Sequence, residues 1–116
     1  MSKRKRAWFM VGIALILLLA ISIPSYRAVI LKSRESTLEV NLASMRSVIR
    51  QYTNDYRRAP RSLQDLVVAG YFRQLPMDPM TNSNSSWQVV TSQQGITDVH
   101  SDSSSISSKG TAYNSW

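Results

Sequence analysis

The sequence predicts an α+β chain in which one long N-terminal helix packs on a small antiparallel sheet, the helix being membrane-spanning in its first half and amphipathic in its second. Three observations predict it. Residues 7–23 form an unbroken apolar run. Residues 38–56 carry apolar side chains at helical spacing, with no Gly or Pro among them. Two short alternating segments flank the Gln93-Gln94-Gly95 turn.

The first element is the span, taken as residues 7–24 behind a basic leader at 1–6. Ala7 to Ile23 reads AWFMVGIALILLLAISI, without a charge. As a helix it covers about 26 Å, slightly less than a hydrocarbon core of about 30 Å. Pro24, Ser25 and Tyr26 extend it, and Trp8 and Tyr26 stand at opposite ends as interfacial aromatics. Lys3, Arg4, Lys5 and Arg6 assign the N-terminal end to the cytoplasm by the excess of basic residues on that side. Ala20-Ile21-Ser22 also fits the small-residue pattern of a signal-peptide cleavage site. The apolar stretch is longer than a usual signal core, however, and meets Pro24 with no polar segment between.

The second element is the amphipathic continuation, residues 25–56. Leu38, Leu42, Met45, Ile49, Tyr52 and Tyr56 recur every three or four residues, one continuous helical stripe. Tyr26 and Ile30 share that face; Ser33 and Thr37 weaken it, which marks a stretch for packing against other copies. Pro24 lacks an N–H and would loosen or kink the helix without ending it. The opposite face carries Arg34, Glu35, Glu39, Arg46, Arg50 and Asn54 and is expected to be solvated. Its like-charge pairs, Glu35 with Glu39 and Arg46 with Arg50, mildly oppose an isolated helix and would be relieved by a partner helix.

Residues 57–116 form the third element, a small head with a long C-terminal loop. Ala59-Pro60 ends the stalk. Ser62-Leu63-Gln64-Asp65 reads as a helix start, with Ser62 as N-cap and an acid three residues on. Leu63, Leu66, Val67 and Tyr71 form its inner face, and Gly70 terminates it. Leu75-Pro76-Met77-Asp78-Pro79 is an extended connector. Trp87 to Val90 alternates as a strand with Trp87 and Val89 on one side, and Ile96 to His100 as a second. The Ser-rich stretch 101–109 is a loop, and Tyr113 and Trp116 are expected to dock on the sheet.

Composition narrows the function classes. The net charge is +7, yet the excess sits in the leader and stalk, while residues 59–116 hold Arg61, Arg73 and Lys109 against Asp65, Asp78, Asp98 and Asp102. That distribution argues against a nucleic-acid partner. There are no cysteines and a single His100, which excludes disulfides, thiolate chemistry and a multi-histidine metal centre. No glycine-rich phosphate loop is present. Ser101, His100 and Asp98 spell a triad, but adjacent strand residues point to opposite faces. Asn84-Ser85-Ser86 is a formal glycosylation sequon and implies a surface loop. Neither an enzyme nor a small-molecule substrate is expected.

The stretch AISIPSYRAVILKSRESTLEVNLASMRSVIRQYTND at 20–55, the segment RAPRSLQDLVVAGYFRQLPMDP at 58–79 and GITDVHSDSSS at 95–105 together resemble the type IV pilin superfamily. Within it they are most similar to the major (G-type) pseudopilins of type II secretion. The resemblance implies a pilin-like fold and a structural filament subunit. That subunit would be held in the bacterial inner membrane, N-terminus cytoplasmic and head periplasmic, before an assembly platform extracts it. Ile13, Leu17, Ile21 and Pro24 would then lie in the filament core, with Leu38, Leu42, Met45, Ile49 and Tyr52 beneath the head. The partners implied are the membrane, other copies or other pseudopilins, and the platform. The resemblance also implies calcium as cofactor in the late loop, with Asp98, Ser101 and Asp102 as ligands. Two features depart from the family: no Gly precedes the apolar run, and Arg6-Ala7 stand where pilin-like chains carry the Glu that pairs between subunits. A membrane-anchored periplasmic binding or adaptor module that does not polymerise is the alternative.

Overall fold

A computed structural model describes residues 2–116 as α+β. In chain order the elements are helix α1 (Lys3–Tyr56), helix α2 (Gln64–Val68), strands β1 (Gln88–Ser92) and β2 (Gly95–His100), and a 3₁₀ turn at Tyr113–Ser115. By compactness the chain divides into two units, Met1–Ser33 and Arg34–Trp116.

The first unit is helical. Its apolar side chains are exposed from Trp8 through Ile23 and supply the one candidate span among the described residues. Helical hydrogen bonding continues across Pro24, whose missing N–H costs one bond without ending the helix. Ser22 Oγ donates to the Leu18 carbonyl at 2.7 Å, a local bond that spares the hydroxyl from facing an apolar medium unpartnered.

The second unit has one core. Leu38, Leu42, Met45, Ile49 and Tyr52 of α1 are buried against Leu66 of α2, Trp87, Ile96, Val99 and Tyr113. The stripe therefore does what a one-sided apolar period does: it buries one helical face. Its last member departs from the sequence reading. Tyr56 is half exposed and stacks on Tyr52 with ring centroids 4.4 Å apart.

Arg57 ends α1 in the left-handed region, at φ 59°. Asp65 then organises the start of α2: its Oδ2 accepts from the backbone N–H groups of Arg61 and Ser62, at 3.0 and 3.4 Å, while Ser62 Oγ donates to Oδ1. The expected cap is thus carried by the acid reaching back; the Ser62 carbonyl accepts from the Asp65 N–H at 3.2 Å, but its hydroxyl caps no α2 amide. Gly70, at φ 87°, closes the helix, with Tyr71 N–H donating to the Leu66 carbonyl.

The sheet is a two-stranded antiparallel hairpin, with Ser92 opposite Gly95 and Gln88 opposite His100. Thr91 pairs with Ile96 and Val90 with Asp98, which leaves Thr97 as the extra residue of a bulge. The bulge is why strict alternation fails. Ile96 and Val99, three apart, are both buried, whereas all of β1 is exposed, Val89 included. Trp87, just before β1, is the residue that reaches the core, its Nε1–H donating to the Pro76 carbonyl at 2.8 Å.

Gly95 is fixed by space. Its φ is 128°, and a Cβ there would lie 2.6 Å from the Pro60 carbonyl oxygen. Through this close approach Ile96 N–H reaches the same oxygen at 2.7 Å, tying β2 to the turn after α1.

Candidate functional site

Two polar residues on α1 hold the C-terminal segment of the second unit, and the sequence reading placed both on a solvated face. The first is Glu35. Only 5% exposed, it accepts from Ser108 N–H at 2.8 Å and Ser108 Oγ at 2.6 Å, and Tyr113 Oη donates to it at 2.8 Å. Burial pushes its carboxyl up. The three hydrogen bonds and the nearby Lys109 charge outweigh that and hold it below the ordinary value. Tyr113 responds in the other direction. Burial, then the hydrogen bond and charge of Glu35, raise its phenol from 10.0 to about 12.

One turn further along, Glu39 pairs with Lys109 at 3.0 Å, and the Lys109 ammonium lies 5.2 Å from the Trp116 ring centroid. The like charges of Glu35 and Glu39 are relieved by the chain's own loop, with no partner helix needed.

The second clasp is Arg46. Its Nε donates to Asp98 Oδ1 at 2.7 Å, and its Nη2 donates to the carbonyl oxygens of Val99 at 2.9 Å and Trp116 at 2.7 Å. The planar fork suits this, since its donors diverge toward strand and terminal turn at once. His100 joins them: Nδ1–H donates to the Trp116 oxygen at 2.5 Å, and Nε2 lies 3.4 Å from Asp98 Oδ2. For Asp98, burial pushes the carboxyl up. The Val99 N–H, the Arg46 hydrogen bond and charge, and His100 more than offset this and leave it lowered. His100 thus serves as a bridge in a structural cluster.

The proposed calcium ligands are not assembled into a cation site. Asp98 is committed to Arg46, a cation already in place. Ser101 is buried and donates to Asp78 Oδ2 at 2.6 Å, while Asp102 accepts from Gln88 Nε2 at 2.6 Å. Calcium requires about six to eight convergent oxygens, and these three side chains serve three separate contacts. Among the described residues no group of three or more His, Cys, Asp or Glu is placed to hold a metal. The residues present do not fit the ion.

Asp78 was not singled out from sequence and has a structural task. Fully buried, it accepts from Met80 N–H at 2.8 Å and from Ser101, and its own N–H donates to the Ser83 carbonyl at 2.8 Å. It joins the Asp78-Pro79 turn to the loop that follows β2. The Asp-Pro dipeptide is a turn signal; the distant Ser101 leaves no trace in local sequence.

The residues assigned to assembly fall in both units. Ile13, Leu17, Ile21 and Pro24 are exposed on α1, and Leu38, Leu42, Met45, Ile49 and Tyr52 are buried in the head core. Asp98, His100 and Ser101 do not form a triad, since Ser101 bonds Asp78 and His100 bonds Trp116. Comparison of the chain with protein-family models, with curated proteins and with solved structures finds no match.

Proposed function

We propose that this chain is a structural subunit of a pilus-like filament of the type II secretion or type IV kind, held by its apolar helix in the bacterial inner membrane before assembly. The observation that carries the reading is the division of labour along α1. Its apolar part is wholly exposed, and its continuation buries a single face in a disulfide-free head. A helix apolar all round wants lipid or other helices, while a one-sided helix wants a domain. A subunit that must move from bilayer to helical stack needs both. In this reading the N-terminus is cytoplasmic, the head is periplasmic, an assembly platform extracts the subunit, and no catalysis, nucleic acid or small-molecule substrate is involved.

The test is co-expression with a type II assembly platform, followed by shearing and by cross-linking through cysteine pairs placed at 26–37. The chain has no cysteine of its own to interfere. Sheared filaments and a cross-link ladder are expected; monomer alone in both assays refutes the reading.

A second reading is favoured by one sequence feature. Arg6-Ala7 stand where the intersubunit Glu would lie. A membrane-anchored periplasmic adaptor that never polymerises would have no need of that acid, and it would give membrane-bound monomer in both assays.

A further inference from the structure

We propose that the stretch of α1 just past the apolar run, through Arg27 and Lys32, binds the phosphate groups of acidic phospholipids at the C-terminal end of the span. The inference rests on residues 7–23 lying in a bilayer. Given that, position dictates the partner. Arg27 follows Ile23 by four residues and Lys32 by nine, about 6 and 13 Å along the helix. The headgroup zone extends about 5–8 Å beyond the hydrocarbon on each side. Arg27 therefore lies within it, and Lys32 can reach back by laying its stem along the helix, inside a Debye length of about 8 Å from the surface.

Charge reinforces position. Both side chains are exposed, and among the described residues neither takes part in an ion pair. From residue 7 to residue 34 there is no acid at all. Glu35 is the one acid within a helical turn of either residue, and both its oxygens are engaged by Ser108 and Tyr113. Tyr26, exposed and next to Arg27, adds an aromatic ring of the kind that favours the interface.

The experiment uses the full chain with Ser25→Cys carrying a fluorophore, in vesicles of phosphatidylcholine and phosphatidylglycerol in equal parts. A nitroxide near the carbonyl end of one acyl chain is placed on either lipid in turn. Quenching of this kind acts at contact range and so reports the lipid beside residue 25. Phosphatidylglycerol is expected to quench more strongly, and the preference should fall about fivefold for each charge removed. R27Q/K32Q should abolish it, R27K/K32R should keep it, and R73Q, an exposed arginine in the second unit, should leave it intact. High salt should reduce it.

Equal quenching by both lipids in the parent chain, or an unchanged preference in R27Q/K32Q, overturns the proposal. Loss of the preference on adding inorganic phosphate, but not chloride at matched ionic strength, would also overturn it by assigning the site to a free anion. No quenching by either lipid would put residue 25 away from any bilayer and overturn the membrane reading together with this one.

Discussion

Arg46 Nη2 donates to the carbonyl oxygen of Trp116 at 2.7 Å, joining positions seventy residues apart. The same guanidinium holds Asp98 and the Val99 carbonyl. One side chain on α1 thereby fixes both β2 and the terminal turn, and the hairpin cannot slide without breaking a charge-assisted bond.

Removal of that side chain should be felt by the whole second unit. Arg46→Ala is expected to lower unfolding stability by roughly 1–3 kcal/mol, since the Asp98 pair is partly exposed and two carbonyls lose a donor. Arg46→Lys should recover less than half, because an ammonium cannot reach strand and terminal turn together. Denaturant unfolding of the full chain in detergent measures both; a lysine variant as stable as the parent would refute the fork geometry.

Glu35 sets an acid limit. Its carboxyl is lower in the folded chain than the ordinary 4.5, so the unfolded chain takes up the proton more readily. The stability it contributes is present above that ordinary value and is lost as pH falls through the lower, folded one. Asp98 acts in the same sense from its ordinary 3.8. Stability measured against pH should decline below about pH 4.5. In Glu35→Gln the decline should be shallower, with a deficit at neutral pH of roughly 1–3 kcal/mol; an unchanged acid limb would refute the buried clasp.

Tyr113 sets the alkaline limit with the opposite sign. Its phenol rises from 10.0 to about 12, so its contribution is complete below pH 10 and is lost as pH climbs toward about 12. Tyr71, raised likewise to about 12 by its hydrogen bond to Asp55, shares that window. Ultraviolet titration of phenolate in the full chain should show Tyr113 and Tyr71 ionising late, and Tyr113→Phe should remove the first of these. The remaining late phenol should then disappear in Asp55→Asn.

How far the sequence discloses this fold depends on the range of each contact. Leu38, Leu42, Met45, Ile49 and Tyr52 announce themselves because helical burial is periodic, and Asp65 announces the start of α2 because capping is local. Glu35 does not: a carboxylate on a helix reads as solvated, and its donors, Ser108 and Tyr113, lie more than seventy residues away. The Thr97 bulge hides the pairing of Ile96 with Val99 as buried neighbours, since alternation assumes a regular ladder. Asp98 and Ser101 were legible as a polar pair but not as a divided one. Which oxygen meets which donor is decided by Arg46 and Asp78 arriving from other elements.

Backbone conformation gives two substitutions of opposite sign. Gly95→Ala should destabilise by roughly 2–4 kcal/mol, as a Cβ would press on the Pro60 carbonyl in a region closed to L side chains. Arg57→Gly should stabilise by roughly 0.5–1 kcal/mol, because the left-handed end of α1 suits glycine. Thermal unfolding reads both; a neutral Gly95→Ala would mean the hairpin end is not held against Pro60.

The two stretches of α1 should answer differently to the same deletion. Leu42→Ala, in the core, should cost roughly 2–5 kcal/mol of unfolding stability. Leu17→Ala, exposed in the first unit, should leave the unfolding of the head unchanged and register in membrane partition. A loss of head stability from Leu17→Ala would contradict the division of the chain into two units.

The long reach of the Glu35 clasp orders events during synthesis. Residue 35 emerges more than seventy residues ahead of Ser108 and Tyr113, so the carboxylate waits through that stretch of translation without its donors. Contacts of such separation close late, after the chain has paid a large loop entropy. A chain cut before Tyr113 lacks one ring of the core and the phenol that donates to Glu35. The clasp therefore forms only on chains that have reached Tyr113, and a copy cut short of it leaves the Glu35 carboxylate without that partner.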